Sequence, residues 1–217
     1  MTREILHADA LEWCRDHPGL GAVVTSIPDP DNMLTSDGTP PDDPWAFFRD
    51  CVRAAMTAAA DDAPVVFRQT DRRSDGTISK ARLVMETATA GDRRLLWHKI
   101  ALQQEPGTTN LRRPTYAHVL AFAREGVGPG TRWPDVWDAG SRLYANGMGL
   151  ETAERVVTFA ADYDQTIVDP FCGMGTVPLM ADALGHRGIG VDLDREMVDH
   201  ARKVRLKGTG AVRAGGA

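Results

Sequence analysis

Two short stretches hold residues of the kinds that do chemistry. The first is Asp169-Pro170-Phe171-Cys172-Gly173-Met174-Gly175-Thr176, which follows the β-branched run Thr166-Ile167-Val168 and opens a helical pattern. An acidic residue, Asp192, closes the next apolar run. Gly173 and Gly175 let backbone approach a ligand closely, the helix start supplies free N–H groups, and Asp192 can accept both hydroxyls of a ribose. Strand, G-x-G, helix, strand and acid in that order read as a nucleotide crevice. A dinucleotide fingerprint needs a glycine where Pro178 stands, so the pattern points to a smaller adenosyl ligand.

The second stretch is Ser26-Ile27-Pro28-Asp29, where the run Val23-Val24-Thr25 breaks off. A strand that stops at a polar residue plus proline is either a plain turn or the lip of an active site. The elements around both stretches decide where they meet. Glu4–His7 and Gly21–Val24 read as strands flanking a helix over Ala10–Asp16. Residues 30–44 form a loop rich in Pro, Asp and Gly, and Asp43-Pro44 starts a helix running to about Ala60. Phe48, Cys51, Val52 and Met56 sit at core spacing along it.

Strands follow at Pro64–Arg68, Arg94–Lys99 and Tyr116–Phe122, with an irregular stretch over 103–114 and a loop over 126–148. Residues 69–80 read as a hairpin-like solvated loop with an Asp75-Gly76 turn, with a border to the acceptor site through Asp71, Arg72 or Lys80 the alternative. Leu150–Ala161 is an amphipathic helix. Thr166–Asp169 and Gly188–Asp192 are strands around a helix over Thr176–Leu184, and Asp194 caps a last helix through about Lys207. The expectation is a single α/β domain spanning residues 1–217, with a mostly parallel sheet of about seven strands flanked by helices.

The composition is that of a soluble globular chain: 217 residues, 42% hydrophobic, 25% charged, net charge −5. No apolar run is long enough to span a membrane, no signal-peptide core follows Met1, and Cys14, Cys51 and Cys172 form no CxxC pair. The expected setting is cytoplasmic, without disulfides or metal. The acidic balance speaks against a general nucleic-acid coat protein. Cations nevertheless cluster at Arg68, Arg72, Arg73, Lys80 and Arg82, at Arg93, Arg94 and Lys99, at Arg112 and Arg113, and at Arg202 to Lys207. A solvated mixed surface is the default reading of such runs, and a basic groove on an acidic body the alternative.

"IVDPFCGMGT" resembles the S-adenosylmethionine-binding motif D-P-F-x-G-x-G-T of the nucleic-acid amino-methyltransferases, and "GIGVDLD" resembles the ribose-binding motif that follows it. Those enzymes carry a catalytic [D/N/S]-P-P-[Y/F/W] at the end of another strand, the place that Ser26-Ile27-Pro28-Asp29 occupies. The catalytic motif precedes the cofactor motif here, as in a circularly permuted class of DNA N4-cytosine and N6-adenine methyltransferases. The resemblance implies a Rossmann-like class I methyltransferase fold. It implies a cofactor held by Asp9 (at the adenine amine), Asp169, Phe171, Cys172, Gly173, Gly175, Thr176, Asp192 and Leu193. It also implies transfer of a methyl group to an exocyclic amine of a base in DNA or RNA.

The amine lone pair is delocalised into the ring, so two acceptors that take both amine protons favour a pyramidal nitrogen in line with the methyl group. By resemblance these are the Ser26 side chain and the Ile27 carbonyl, with Pro28 and Asp29 completing the turn. Serine first is the version associated with cytosine N4. Ile27 replaces a proline, and Asp29 replaces the aromatic that stacks on an extruded base. Stacking then falls to Trp45, Phe47 or Trp97, of which Trp97 reads more readily as core, or the acceptor is not a flipped base; Asp29 is left between a role in orienting the acceptor, a role as base, and a turn position. By resemblance Asn146-Gly147-Met148-Gly149 corresponds to the segment that touches the methionine moiety, with a flexible loop the alternative. No long target-recognition insertion lies between Lys99 and Gly147. Recognition by a homodimer or partner subunit is one expectation; a small nucleoside-like acceptor, or a non-catalytic cofactor-binding module, is the other.

Overall fold

The computed structural model describes residues 3–74, 76–111, 113–130 and 133–206. Asp75, Arg112 and Lys207, each named above, lie outside the described residues. In chain order the elements begin with β1 (Arg3–His7), α1 (Ala10–Asp16), β2 (Ala22–Thr25), a 3-10 turn (Pro30–Asn32), α2 (Pro44–Ala58) and β3 (Val65–Gln69). A small hairpin, β4 (Arg72–Ser74) and β5 (Gly76–Ile78), leads into α3 (Lys80–Thr89), β6 (Arg94–Leu102), β7 (Tyr116–Ala123) and β8 (Val136–Asp138). The chain continues through α4 (Leu150–Ala161), β9 (Thr166–Asp169), α5 (Thr176–Ala183), β10 (Arg187–Asp192) and α6 (Arg195–Lys203).

Among the described residues eight strands form one sheet in the order β1-β10-β9-β2-β3-β7-β6-β8, and β7 alone runs against the others. The sheet is thus one strand larger than its sequence pattern predicts. The extra strand, β8, is three residues between Pro134 and Gly140, too short to show a period, and it pairs through Ile100↔Val136. A second element hidden in the sequence is α3. Ser79 caps it through the Arg82 N–H, and Ala81, Val84 and Ala88 turn inward, so Lys80 stands on a buried helix start and not in a solvated loop.

Side chains on the central strands alternate between two cores. Val23, Val65, Phe67 and Val168 face α1, α2 and α3, while Ala22, Val24, Val66 and Ile167 face α4 and α5. From β9 the chain moves to β10 on one side; from β2 it moves to β3 on the other. The carboxyl ends of these neighbours, Asp169 and Thr25, therefore border a topological switch point, where open α/β sheets hold ligands.

The opposite edge is fastened. Arg93, buried ahead of β6, donates to the carbonyls of Met56, Ala59, Ala60 and Ala63, which satisfies the end of α2. Lys99 is likewise buried and bonds Asp135 at 2.8 Å, so these two cations belong to the structure and not to a basic groove.

Candidate active site

The cofactor turn is built from the end of β9. Gly173 and Gly175 have φ of 50° and 81°, which favour glycine. A Cβ on Gly175 would stand 2.8 Å from the Cβ of Ala201, so α6 also packs against the bare backbone there. The close helix–strand approach that a third fingerprint glycine gives in dinucleotide sites is supplied from the strand instead. A Cβ at Gly188 would meet the Pro178 carbonyl oxygen at 2.5 Å.

Asp192 fixes the turn from the next strand, accepting from the Gly173 N–H at 2.7 Å and the Asp194 N–H at 2.9 Å. Burial raises its carboxyl above the ordinary value. Asp9 caps α1 through the N–H groups of Leu11 and Glu12 and borders the same cavity, as do His7, Phe47, Phe171 and Leu193. That cavity is about 480 Å³. An aromatic and aliphatic wall with a carboxylate at each end fits an adenosine.

Asp169 is buried beneath the turn. The Thr25 hydroxyl donates to it at 2.6 Å and the Phe171 N–H at 3.2 Å. Burial pushes its carboxyl up to about 7 despite those bonds, with Asp192 adding to the rise. Cys172 packs against Gly190, and burial holds its thiol well above the ordinary range, so it is a small packing residue and not a nucleophile.

A second cavity, about 720 Å³, shares Pro28, Asn32, Phe171 and Asp192 with the first. Ser26, Ile27 and Asp29 line it beside Asp169, Gly173 and Thr176, so both sequence stretches open into one continuous site. Ile27 is buried, and its backbone N–H, absent from a proline, needs a partner. Gln69, fully buried at the end of β3, provides it: the side-chain oxygen accepts from the Ile27 N–H at 2.7 Å and the side-chain nitrogen donates to the Ile27 carbonyl at 3.2 Å. Asp29 precedes the 3-10 turn without capping it; its carboxylate pairs with the Lys80 ammonium at 2.5 Å. Burial lowers Lys80 below its ordinary value, against the pull of Asp29.

Of the aromatics expected near the acceptor, Trp97 is core, edge-on to Phe159 at 5.1 Å. Trp45 packs on Phe48, and Phe47 borders the adenosine side. Tyr144, which no sequence motif singles out, lines the second cavity two residues before Asn146, and only its place beside that Asn-Gly segment could have signalled it. His98 pairs with His118 at 2.8 Å, and His118 reaches Asp71, which borders the second cavity. Among the described residues no cluster of His, Cys, Asp or Glu is placed to hold a metal, and no helix is long and apolar enough to cross a membrane.

The fold has solved counterparts. TTHA0409 of Thermus thermophilus, described as a DNA modification methylase, superposes with a TM-score of 0.71 at 19% identity, over 92% of this chain and 93% of that one. Its complex with S-adenosyl-L-methionine gives 0.67 at 20% identity, over 92% and 91%. The cytosine-N4-specific PvuII DNA methyltransferase gives 0.71 at 12% identity, over 91% and 84%. No protein of curated description matches the chain. A family model for DNA methylases of the N6/N4 type matches residues 66–203.

The chain belongs to this DNA methylase family. It has the class I methyltransferase fold and is an S-adenosylmethionine-dependent enzyme that methylates a nucleobase amine, and of the acceptors left open by the sequence the family selects DNA. The matched span of this N6/N4 methylase runs from β3 through α6 and includes the cofactor turn and Asp192, while Ser26 to Asp29 lie ahead of it.

Proposed function

We propose that the turn Ser26-Ile27-Pro28-Asp29 is the acceptor site of this DNA methylase and that Asp9, Asp169, the turn from Phe171 to Thr176, Asp192 and Leu193 hold the cofactor. One observation carries the assignment: the Thr25 hydroxyl bonds the Asp169 carboxylate at 2.6 Å, so the residue before Ser26 is fastened to the start of the cofactor turn. Asp192 and Asp9 hold the ribose and adenine ends of the adenosine cavity, and Gly173 borders the adjoining cavity beside Asp192. When bound, S-adenosylmethionine supplies the electrophilic sulfonium methyl group.

On the acceptor side, the Ser26 hydroxyl oxygen and the Ile27 carbonyl take hydrogen bonds from the two amine protons. Gln69 leaves the Ile27 carbonyl its second lone pair for this purpose. Orientation is the main contribution of these residues, because it removes the entropic cost of bringing a weak nucleophile into line. Asp29 is held by Lys80 at the cavity wall, where it can accept from a ring or amine N–H. Tyr144 and Phe171 are the aromatic surfaces that flank the acceptor in place of the missing motif aromatic.

Target recognition in this reading comes from a homodimer or a partner subunit, since residues 103–149 are all that lies between β6 and α4, and β7 and β8 are part of that stretch. The enzyme acts in the cytoplasm. The test is transfer of label from methyl-tritiated S-adenosylmethionine to genomic DNA, with tRNA and a small-metabolite fraction in parallel and Ser26→Ala as control. Label in DNA that the variant loses supports the site, and nucleoside analysis then names the base. Full activity in Ser26→Ala removes it.

A further inference from the structure

Among the described residues six cations line the acceptor cavity, and five of them have partners. Arg72 pairs with Asp31, Lys80 with Asp29, Arg73 donates to the Asn110 carbonyl, Arg113 to Asn146, and Arg142 to Gln103. Arg68 is different. Its side chain lines the cavity, the residue is 9% exposed, and among the described residues no hydrogen bond or ion pair engages its guanidinium. Tyr144 and Asp29 act on it only through space, too weakly to offset its burial, and an incoming anion that bonds the guanidinium directly relieves that burial.

The strand geometry says which part of the site it serves. Thr25 pairs with Phe67 across β2 and β3, so Arg68 continues the register beside Ser26, on the side of β2 away from the cofactor strand β9. Alternation along β3 sends Gln69 to the Ile27 peptide and Arg68 to the opposite face, toward Tyr144 and Arg142. We infer that Arg68 is the floor of an oxyanion subsite that takes a backbone phosphate of the acceptor strand next to the base held at Ser26. The inference rests on the acceptor reading above and adds a named contact to it.

A guanidinium offers a planar fork of donors that matches two phosphate oxygens, which a point charge does not. Burial lowers Arg68 to about 10, with Arg142 adding to the fall, so it still carries its charge at neutral pH. Placed at the floor, it fixes the sugar–phosphate chain relative to the amine. The partnered arginines at the rim supply the sequence-independent attraction.

The test uses the whole chain with a fluorescent mixed-sequence DNA, as duplex and as single strand, titrated at about 50 to 200 mM salt. In Arg68→Gln the slope of log Kobs against log salt should shrink by about one, with S-adenosylmethionine affinity unchanged. Arg68→Lys, which keeps the charge and loses the fork, should keep the slope and weaken binding. Inorganic phosphate should raise the Tm of the wild type and of Arg68→Lys, and not that of Arg68→Gln. An unchanged slope in Arg68→Gln overturns the subsite, and so does a wild type indifferent to phosphate, even where no variant folds. A loss of S-adenosylmethionine affinity in Arg68→Gln with DNA binding intact assigns the guanidinium to the cofactor's carboxylate and also overturns it. If Ser26→Ala abolishes methyl transfer while either result occurs, the acceptor reading stands and only the subsite falls.

Discussion

The Gln69 side chain grips the Ile27 peptide at both ends, accepting from its N–H at 2.7 Å and donating to its carbonyl at 3.2 Å. Gln69→Leu should leave that buried N–H without a partner and lower stability by about 1 to 3 kcal/mol. Ile27→Pro removes the N–H itself, so adding Gln69→Leu to Ile27→Pro should cost less than half as much. A urea-unfolding double-mutant cycle measures the difference. Strict additivity would mean that the glutamine does not serve the peptide.

The Asp169 carboxyl, raised to about 7 chiefly by burial, takes up a proton on folding at pH values between its ordinary 3.8 and about 7. Its contribution to stability is complete below the lower value and is lost as pH rises through the upper one. Asp169→Asn should therefore gain on the wild type by up to about 4 kcal/mol between pH 4 and pH 8. Denaturant midpoints at several pH values test this, and a pH-independent difference would contradict it.

Asp29→Ala strands the Lys80 ammonium, whose side chain is 4% exposed. The loss should be about 1 to 3 kcal/mol, less than for a pair buried on both sides, because Asp29 itself is 40% exposed and solvent screens it. Lys80→Met in the same chain should restore most of it. Thermal unfolding of the two singles and the double checks the coupling.

At Gly175 the φ of 81° and the 2.8 Å approach to Ala201 act together. Gly175→Ala should cost about 1 to 2 kcal/mol for backbone conformation alone, with more for displacing α6. Calorimetry should then find S-adenosylmethionine binding weakened at least tenfold. Gly185, also at positive φ but with nothing within 4 Å of a Cβ, should show only the conformational cost.

The cofactor half of the site is legible in the sequence because its physics is local: β-branched strand, paired glycines, helix start and following acid all lie between Thr166 and Asp192. The acceptor half is legible only at Ser26 to Asp29. Its supports come from β3 and α3, and nothing in the isolated letters Gln69 or Lys80 says that one meets Ile27 and the other Asp29. Arg93 and Lys99 look like surface charge in a sequence, yet they are buried because backbone carbonyls and Asp135 await them across the fold. Strands β4 and β5 form the hairpin that their sequence suggests, whereas helix α3 beyond it goes unread although Ser79 and the spacing of Ala81, Val84 and Ala88 announce it, and β8 is too short to announce anything.

Arg93 binds four carbonyls at the edge where β2, β3 and β6 begin, and Arg124 pairs with Asp61 and Asp92 on that same edge. The methylase thus keeps its anchorage at one rim of the sheet and its chemistry at the other. Changes that retune which strand or base enters at Ser26 leave the contacts of Arg93 and Arg124 untouched, so acceptor preference is free to drift while that rim of the scaffold stays put.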